Sequence, residues 1–88
     1  MSYFVYLLEC ADKTIYTGIT TDLDRRLNEH KNKIGARYTR AHGALKMLYS
    51  ECYGTRSAAL KREAEIKHWP RKQKLELVYP RRAGQTDV

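Results

Sequence analysis

"YFVYLLECADKTIYTGI", residues 3–19, decides how the chain folds. Residues 3–10 form a run of aromatic, branched and aliphatic side chains broken by one glutamate, which reads as a β-strand. Side chains alternate along a strand, so Tyr3, Val5 and Leu7 share one face and Phe4, Tyr6 and Leu8 the other. Both faces are apolar, and the expected sheet is therefore covered on both sides. The polar "ADK" at 11–13 is turn-like. Residues 14–19, "TIYTGI", read as a second strand, and the two strands make a hairpin. With a three-residue link, Tyr16 falls opposite Leu8, diagonal to Tyr6 on the same face and within its reach. A two-residue link would put the tyrosines on opposite faces. Gly18 leaves a bare patch beside Tyr16 where a ligand backbone could approach.

After the hairpin, Thr21 followed by Asp24 resembles a capping box with Asp in place of the usual Glu. Leu23 and Leu27 repeat at helical spacing, and the pattern predicts a helix over 22–33. Residues 33–45, "KIGARYTRAHGAL", read as a basic loop with two glycines. Residues 46–53, "KMLYSECY", give a third strand. Thr55 is the expected N-cap of a helix over 55–68. Pro70 ends that helix and begins a short one over 70–78. The order ββαβα(α) is an α+β fold: a three-stranded, mainly antiparallel sheet flanked by helices. One domain spans 1–79. The remainder, 80–88, including "PRRAGQTDV", lacks apolar content and is expected to fray.

The whole chain has 88 residues, enough for a single core. Seventeen Lys and Arg against ten Asp and Glu give a net charge of +7, which points to a polyanionic partner. Cys10 and Cys52 have no metal-site or disulfide-framework spacing, and both stand in apolar runs. Buried thiols in a reducing cytoplasm are expected. "MSYFVYLLEC" lacks the basic start of a signal peptide. No apolar stretch approaches the ~20 residues that span a bilayer, so no membrane partner is expected.

Polar residues that sit against apolar stripes mark where chemistry could lie. On the first helix, Arg26 and His30 flank the apolar stripe of Leu23 and Leu27 that faces the sheet, while Arg25 faces away. Arg26 there presents a planar fork suited to phosphate oxygens. Its ordinary alternative is an i,i+4 pair with Asp22, and His30 is ordinarily a boundary histidine. On the later helix, Glu63 falls inside the apolar stripe and Glu65 outside it. A carboxylate among apolar neighbours is costly unless it is paired or holds a metal. Lys67 is the ordinary partner. The functional reading is a ligand for one Mg²⁺ (or Mn²⁺), which takes one or two carboxylates, waters and substrate phosphate. Two tyrosines, an arginine, a histidine and a single carboxylate suit one-metal phosphodiester hydrolysis better than a two-metal site.

Four segments, "FVY" at 4–6, "YTG" at 16–18, "TDLDRRLNEH" at 21–30 and "ALKREAEIK" at 59–67, together resemble the GIY-YIG nuclease superfamily, and most closely its small stand-alone bacterial branch. The resemblance covers residues 3–78. It implies that Tyr6 and Tyr16 are the motif tyrosines, one of them a general base or water orienter. It implies that Arg26 stabilises charge on the scissile phosphate. It also implies that His30 is the family histidine and that Glu63 binds one divalent ion on the leaving side. Phe4 stands where the name-giving glycine does and Thr17 replaces the isoleucine, both at scaffold positions.

The resemblance therefore implies a metal-dependent endonuclease acting on DNA, with RNA also open. A lone module of this size makes few base contacts, so single-stranded or structured DNA is favoured over a long specific duplex site. The alternative is a non-catalytic nucleic-acid-binding module, which would not need a carboxylate in a core stripe. Arg37, Tyr38 and Arg40 in the basic loop could grip a backbone and stack a base. Arg71, Lys72 and Lys74 would extend the phosphate track.

Overall fold

A computed structural model describes residues 1–32 and 37–80. Seven elements follow one another: β1 (Tyr3–Cys10), β2 (Ile15–Thr20), α1 (Leu23–Lys31), α2 (Arg37–His42), β3 (Ala44–Tyr53), α3 (Arg56–Lys67) and α4 (Arg71–Val78). The three strands form one antiparallel sheet in the order β2-β1-β3. The central position of β1 explains its two apolar faces: Val5, Tyr6, Leu7 and Leu8 are all buried. The expected α+β fold is the observed one.

The hairpin is built as its sequence dictates. The link is the three residues Ala11–Lys13, with Lys13 N donating to Cys10 O at 2.9 Å and Cys10 N to Thr14 O at 2.9 Å. Lys13 takes a left-handed conformation at φ 70, the geometry of a three-residue hairpin loop. Asp12 locks the turn by accepting from the Thr14 amide at 3.1 Å and the Thr14 hydroxyl at 2.6 Å. The register places Leu8 opposite Tyr16 and Tyr6 opposite Gly18, as expected for this link length.

Three local readings need correction. The N-cap of α1 is Asp22, whose side chain accepts from Arg25 N at 3.0 Å. Thr21 and Asp24 form no capping box, because a carboxylate one residue nearer the first turn takes the amide. The stretch read as a basic loop contains α2, and β3 begins at Ala44 rather than at residue 46. Gly43 stops α2 at φ 77, with its amide on Thr39 O at 2.9 Å, the usual work of a glycine just past a helix. Cys10 is buried as expected, but Cys52 is exposed. Of the tail expected to fray, 80–88, residues 81–88 lie outside the described residues, as do 33–36 and the side chain of Tyr38.

Helices cover both faces of the sheet. Val5 and Leu7 pack against Ala59 and Ile66 of α3, with Ile15, Ile19, Trp69, Leu77 and Val78 around them. Burying each such aliphatic side chain is worth about 1.5–3 kcal/mol. Thr55 caps α3 by accepting from Ala58 N at 3.1 Å, and Pro70 precedes α4 with its carbonyl accepting from Gln73 N and Lys74 N. A polar tie fixes α3 to β3. Glu51 accepts from Tyr49 and Tyr53 hydroxyls, each at 2.6 Å, and from Arg62 Nε and NH2 at 2.9 and 3.0 Å. Arg62 also lies 5.0 Å over the Trp69 ring. Burial works to raise the Glu51 carboxyl, but Arg62 and the two phenols override it and hold it at about 2. No helix among the described residues is long and apolar enough to cross a membrane.

Candidate active site

On the other face of the sheet, β1, β2 and α1 bring Tyr6, Tyr16 and His30 into mutual contact. The ring centroids lie 6.2 Å apart for the two tyrosines, 5.8 Å for Tyr6 and His30, and 5.4 Å for Tyr16 and His30. Tyr6 Oη is 2.7 Å from His30 Nε2, and His30 Nδ1 is 2.6 Å from Thr39 Oγ1. All three side chains of that chain are buried. His30 is thus a core residue in a polar relay rather than a boundary histidine.

The patch at Gly18 is not open to a ligand backbone, as its lack of a side chain suggested. The Tyr6 phenol lies across it. A Cβ on Gly18 would stand 2.5 Å from Tyr6 Oη, 2.6 Å from Tyr6 Cζ and 2.8 Å from Tyr16 Cε2. The glycine lets Tyr6 cross the edge strand and reach His30.

Arg26 is 26% exposed and donates to Glu29 Oε1 at 2.9 Å. Its partner on the helix is Glu29 rather than Asp22, whose carboxylate is taken up by the cap. Burial pushes the Tyr6 phenol up to about 12, with the Arg26 guanidinium beside it working in the opposite direction and the Tyr16 and Glu63 charges adding to the rise. Burial, then Arg26, holds the His30 imidazole below its usual value, opposed by Glu29. At neutral pH the site therefore holds a neutral phenol and a neutral imidazole next to a fixed cation.

Glu63 comes from α3, on the opposite side of the sheet from α1. Its side chain is 14% exposed and pairs with Lys67 Nζ at 3.4 Å, the ordinary i,i+4 partner. Tyr6 feels Glu63 as a charge. Four of the five expected residues thus form one cluster, and the fifth is coupled to it electrostatically.

Among the described residues no group of three or more His, Cys, Asp or Glu side chains comes together as a ready metal cage. That excludes a tetrahedral zinc-type donor set there. A single carboxylate whose ion-pair partner, Lys67, is 51% exposed does fit Mg²⁺ or Mn²⁺, which complete their shells with water and substrate oxygen.

Thr39 escaped the sequence reading because its segment read as loop. The signal was Gly43, the stop that turns "ARYTRAH" into a short helix. Arg37 and Arg40 are exposed on that helix. Arg71 and Lys74 line a groove with Lys13, while Lys72 lies with Arg71 along another, beside Leu75, Glu76 and Tyr79. The Thr17 hydroxyl, on the α3 face of β2, is buried without a hydrogen-bond partner among the described residues.

Comparison with known proteins gives these residues a context. Residues 2–76 match the GIY-YIG catalytic domain. The chain is 48% identical over 75 residues to a UPF0213 protein of Haloquadratum walsbyi, covering 85% of this chain and 84% of that one. It is 46% identical over 76 residues to a UPF0213 protein of Syntrophus aciditrophicus, covering 85% and 87%. Among solved structures it resembles a UPF0213 protein of Bacillus halodurans at TM-score 0.57 and a protein of E. faecalis at TM-score 0.61. Each is 40% identical, with 90% of this chain and 84% of that chain covered.

Proposed function

The chain belongs to the GIY-YIG family, a nuclease superfamily, and we propose that it is a divalent-metal-dependent endonuclease that hydrolyses phosphodiester bonds in DNA. What favours hydrolysis over mere binding is the buried Tyr6–His30–Thr39 chain. The chain sets a proton acceptor, His30 Nε2, 2.7 Å behind the Tyr6 hydroxyl, with the Arg26 guanidinium beside the phenol, and this arrangement supports hydrolysis.

Tyr6 is not a standing base, because burial keeps its proton on at neutral pH. It becomes one by relay. Arg26 has only N–H groups to offer the phenol oxygen, so the phenol accepts from Arg26 and donates its own O–H to His30 Nε2. His30 then carries its N–H on Nδ1 and donates it to Thr39 Oγ1. The Tyr6 oxygen is closed to solvent in the free protein, so the substrate strand would have to open the site as it binds; an attacking water then gives a proton to that oxygen as the Tyr6 proton passes to His30 Nε2. The water oxygen bonds to phosphorus, the P–O bond on the leaving side breaks, and the leaving oxygen takes up a proton from solvent. Such proton transfer contributes about 10²–10⁴-fold.

Arg26 has donors left after Glu29 and the Tyr6 oxygen each take one, and in this reading they meet the charge that grows on the phosphate. Tyr16 packs against His30 and orients the water. Glu63 would hold the ion, in exchange for its pair with Lys67. A bound Mg²⁺ or Mn²⁺ supplies charge neutralisation at the phosphate and leaving oxygen.

The basic surface and small size favour single-stranded or structured DNA, with RNA as the other nucleic acid to test. The deciding assay incubates the protein with end-labelled single-stranded, duplex and branched DNA, and with RNA, in Mg²⁺, Mn²⁺ or EDTA. Cutting only with metal present supports the reading. Retention without cutting under every metal overturns it in favour of a binding module.

A further inference from the structure

A groove of about 450 Å³ runs between the β1–β2 turn and α4, away from the tyrosine cluster. Lys13, Thr14, Ile15, Arg71 and Lys74 line it. The turn and the helix are tied together, because Arg71 NH1 donates to the Lys13 carbonyl. The rest of the Arg71 fork has no partner among the described residues. Neither Lys13 nor Lys74 has a carboxylate within salt-bridge distance among those residues. Among the described residues, three cations thus line one cavity with no carboxylate paired to any of them.

Lys74 carries the strongest signal. It is half-buried, and burial, then the neighbouring Lys67 charge, lowers its ammonium from the ordinary value. A desolvated ammonium beside other cations is unfavourable until an anion arrives. Lys67 is also the residue paired with Glu63. The cationic line therefore runs from the proposed metal carboxylate through Lys67 to Lys74, Arg71 and Lys13. Hairpin geometry sets its far end, because the left-handed Lys13 holds the turn that meets α4.

We propose that this groove is a second phosphate subsite, in which Lys13, Arg71 and Lys74 hold a backbone phosphate of the substrate strand away from the one that is cut. The occupant rests on the nuclease reading above. The site itself rests on the cavity and its unpaired cations. Its role is to hold and align the strand, so its loss weakens binding and leaves the chemical step alone.

The test is binding of a fluorescent single-stranded DNA to the full chain in EDTA across a series of salt concentrations. Lys13→Gln, Arg71→Gln and Lys74→Gln are compared with Lys61→Gln on the outer face of α3, and thermal unfolding checks that each is folded. Each groove variant should bind about three- to tenfold more weakly and lower the salt slope by about 0.7. Lys74→Arg should restore most of the affinity. Groove variants that match Lys61→Gln in affinity and slope overturn the subsite. If wild-type protein cuts DNA, saturating substrate should restore the rate of Lys74→Gln, and a lowered kcat would overturn the holding role. If nothing is cut but the slopes change, the subsite stands and the nuclease reading falls. Inorganic phosphate titrated into ¹⁵N-labelled protein gives the other arm. Saturable shifts at Lys13, Arg71 and Lys74 without any effect of the three variants on DNA binding would assign the groove to free phosphate and overturn the proposal.

Discussion

Tyr6 of the central strand and His30 of the first helix meet at 2.7 Å, hydroxyl to Nε2, in a fully buried contact. Removing that hydroxyl leaves an imidazole nitrogen in the core without a partner, at a cost of about 1–3 kcal/mol. Tyr6→Phe should therefore lower the thermal midpoint yet remain folded. Its turnover should fall about 10²–10⁴-fold while DNA retention is kept. Single-turnover cleavage beside a gel-shift measurement checks both, and equal losses in the two would contradict a catalytic role.

Gly18→Ala tests the same contact from the opposite strand. A methyl group there collides with the Tyr6 hydroxyl at 2.5 Å, and His30 holds that hydroxyl in place. Overpacking of this kind costs about 1–3 kcal/mol. The variant should lose turnover together with stability, and a crystal structure should show Tyr6 displaced from His30. Wild-type activity in a folded Gly18→Ala protein would mean that the Tyr6 position does not matter.

The depressed His30 imidazole makes a signed prediction. Below about pH 6.5 the unfolded chain takes up a proton that folded His30 refuses, so the unfolded state binds more protons and stability falls as pH falls. Thermal midpoints should decline from pH 7 toward pH 5, and His30→Gln should flatten that decline. Glu51 acts lower down. Its carboxyl is held at about 2, so its stabilisation is present above its unfolded value near 4.5 and is lost as pH drops through that window. An unchanged slope between pH 7 and 5 in His30→Gln would contradict the buried, neutral assignment.

Arg62→Ala leaves the Glu51 carboxylate in a largely buried position with only two phenols to satisfy it. Breaking such a pair costs about 3 kcal/mol. Because the tie holds α3 to β3, the same variant should loosen the helix that carries Glu63. Denaturant unfolding measures the first effect, and amide exchange in α3 measures the second.

The sequence carried most of this design where the decisive contacts are local. The sequence left the hairpin link at two or three residues; the observed three-residue link sets the register that places Tyr6 and Tyr16 on one face. Helical spacing put His30 and Arg26 at the flanks of the apolar stripe and Glu63 among apolar neighbours, and only the fold showed His30 buried. Long-range partners were not legible. Glu51 sits in β3 and its partner Arg62 eleven positions later in α3, and neither spacing nor pattern links a strand carboxylate to a particular helix arginine. Thr39 lay in a six-residue helix too short to show a period. Gly18 looked like empty space for a ligand because only the fold shows that a phenol from the neighbouring strand fills it.

The most direct measurement is single-turnover cleavage of a labelled DNA strand by wild type and Glu63→Ala, each in Mg²⁺ and in EDTA, with binding recorded in parallel. Cleavage should appear only for wild type with Mg²⁺, and Glu63→Ala should bind the strand without cutting it. Equal metal-dependent cutting by Glu63→Ala would contradict the assignment of the α3 carboxylate, and with it the one-metal site.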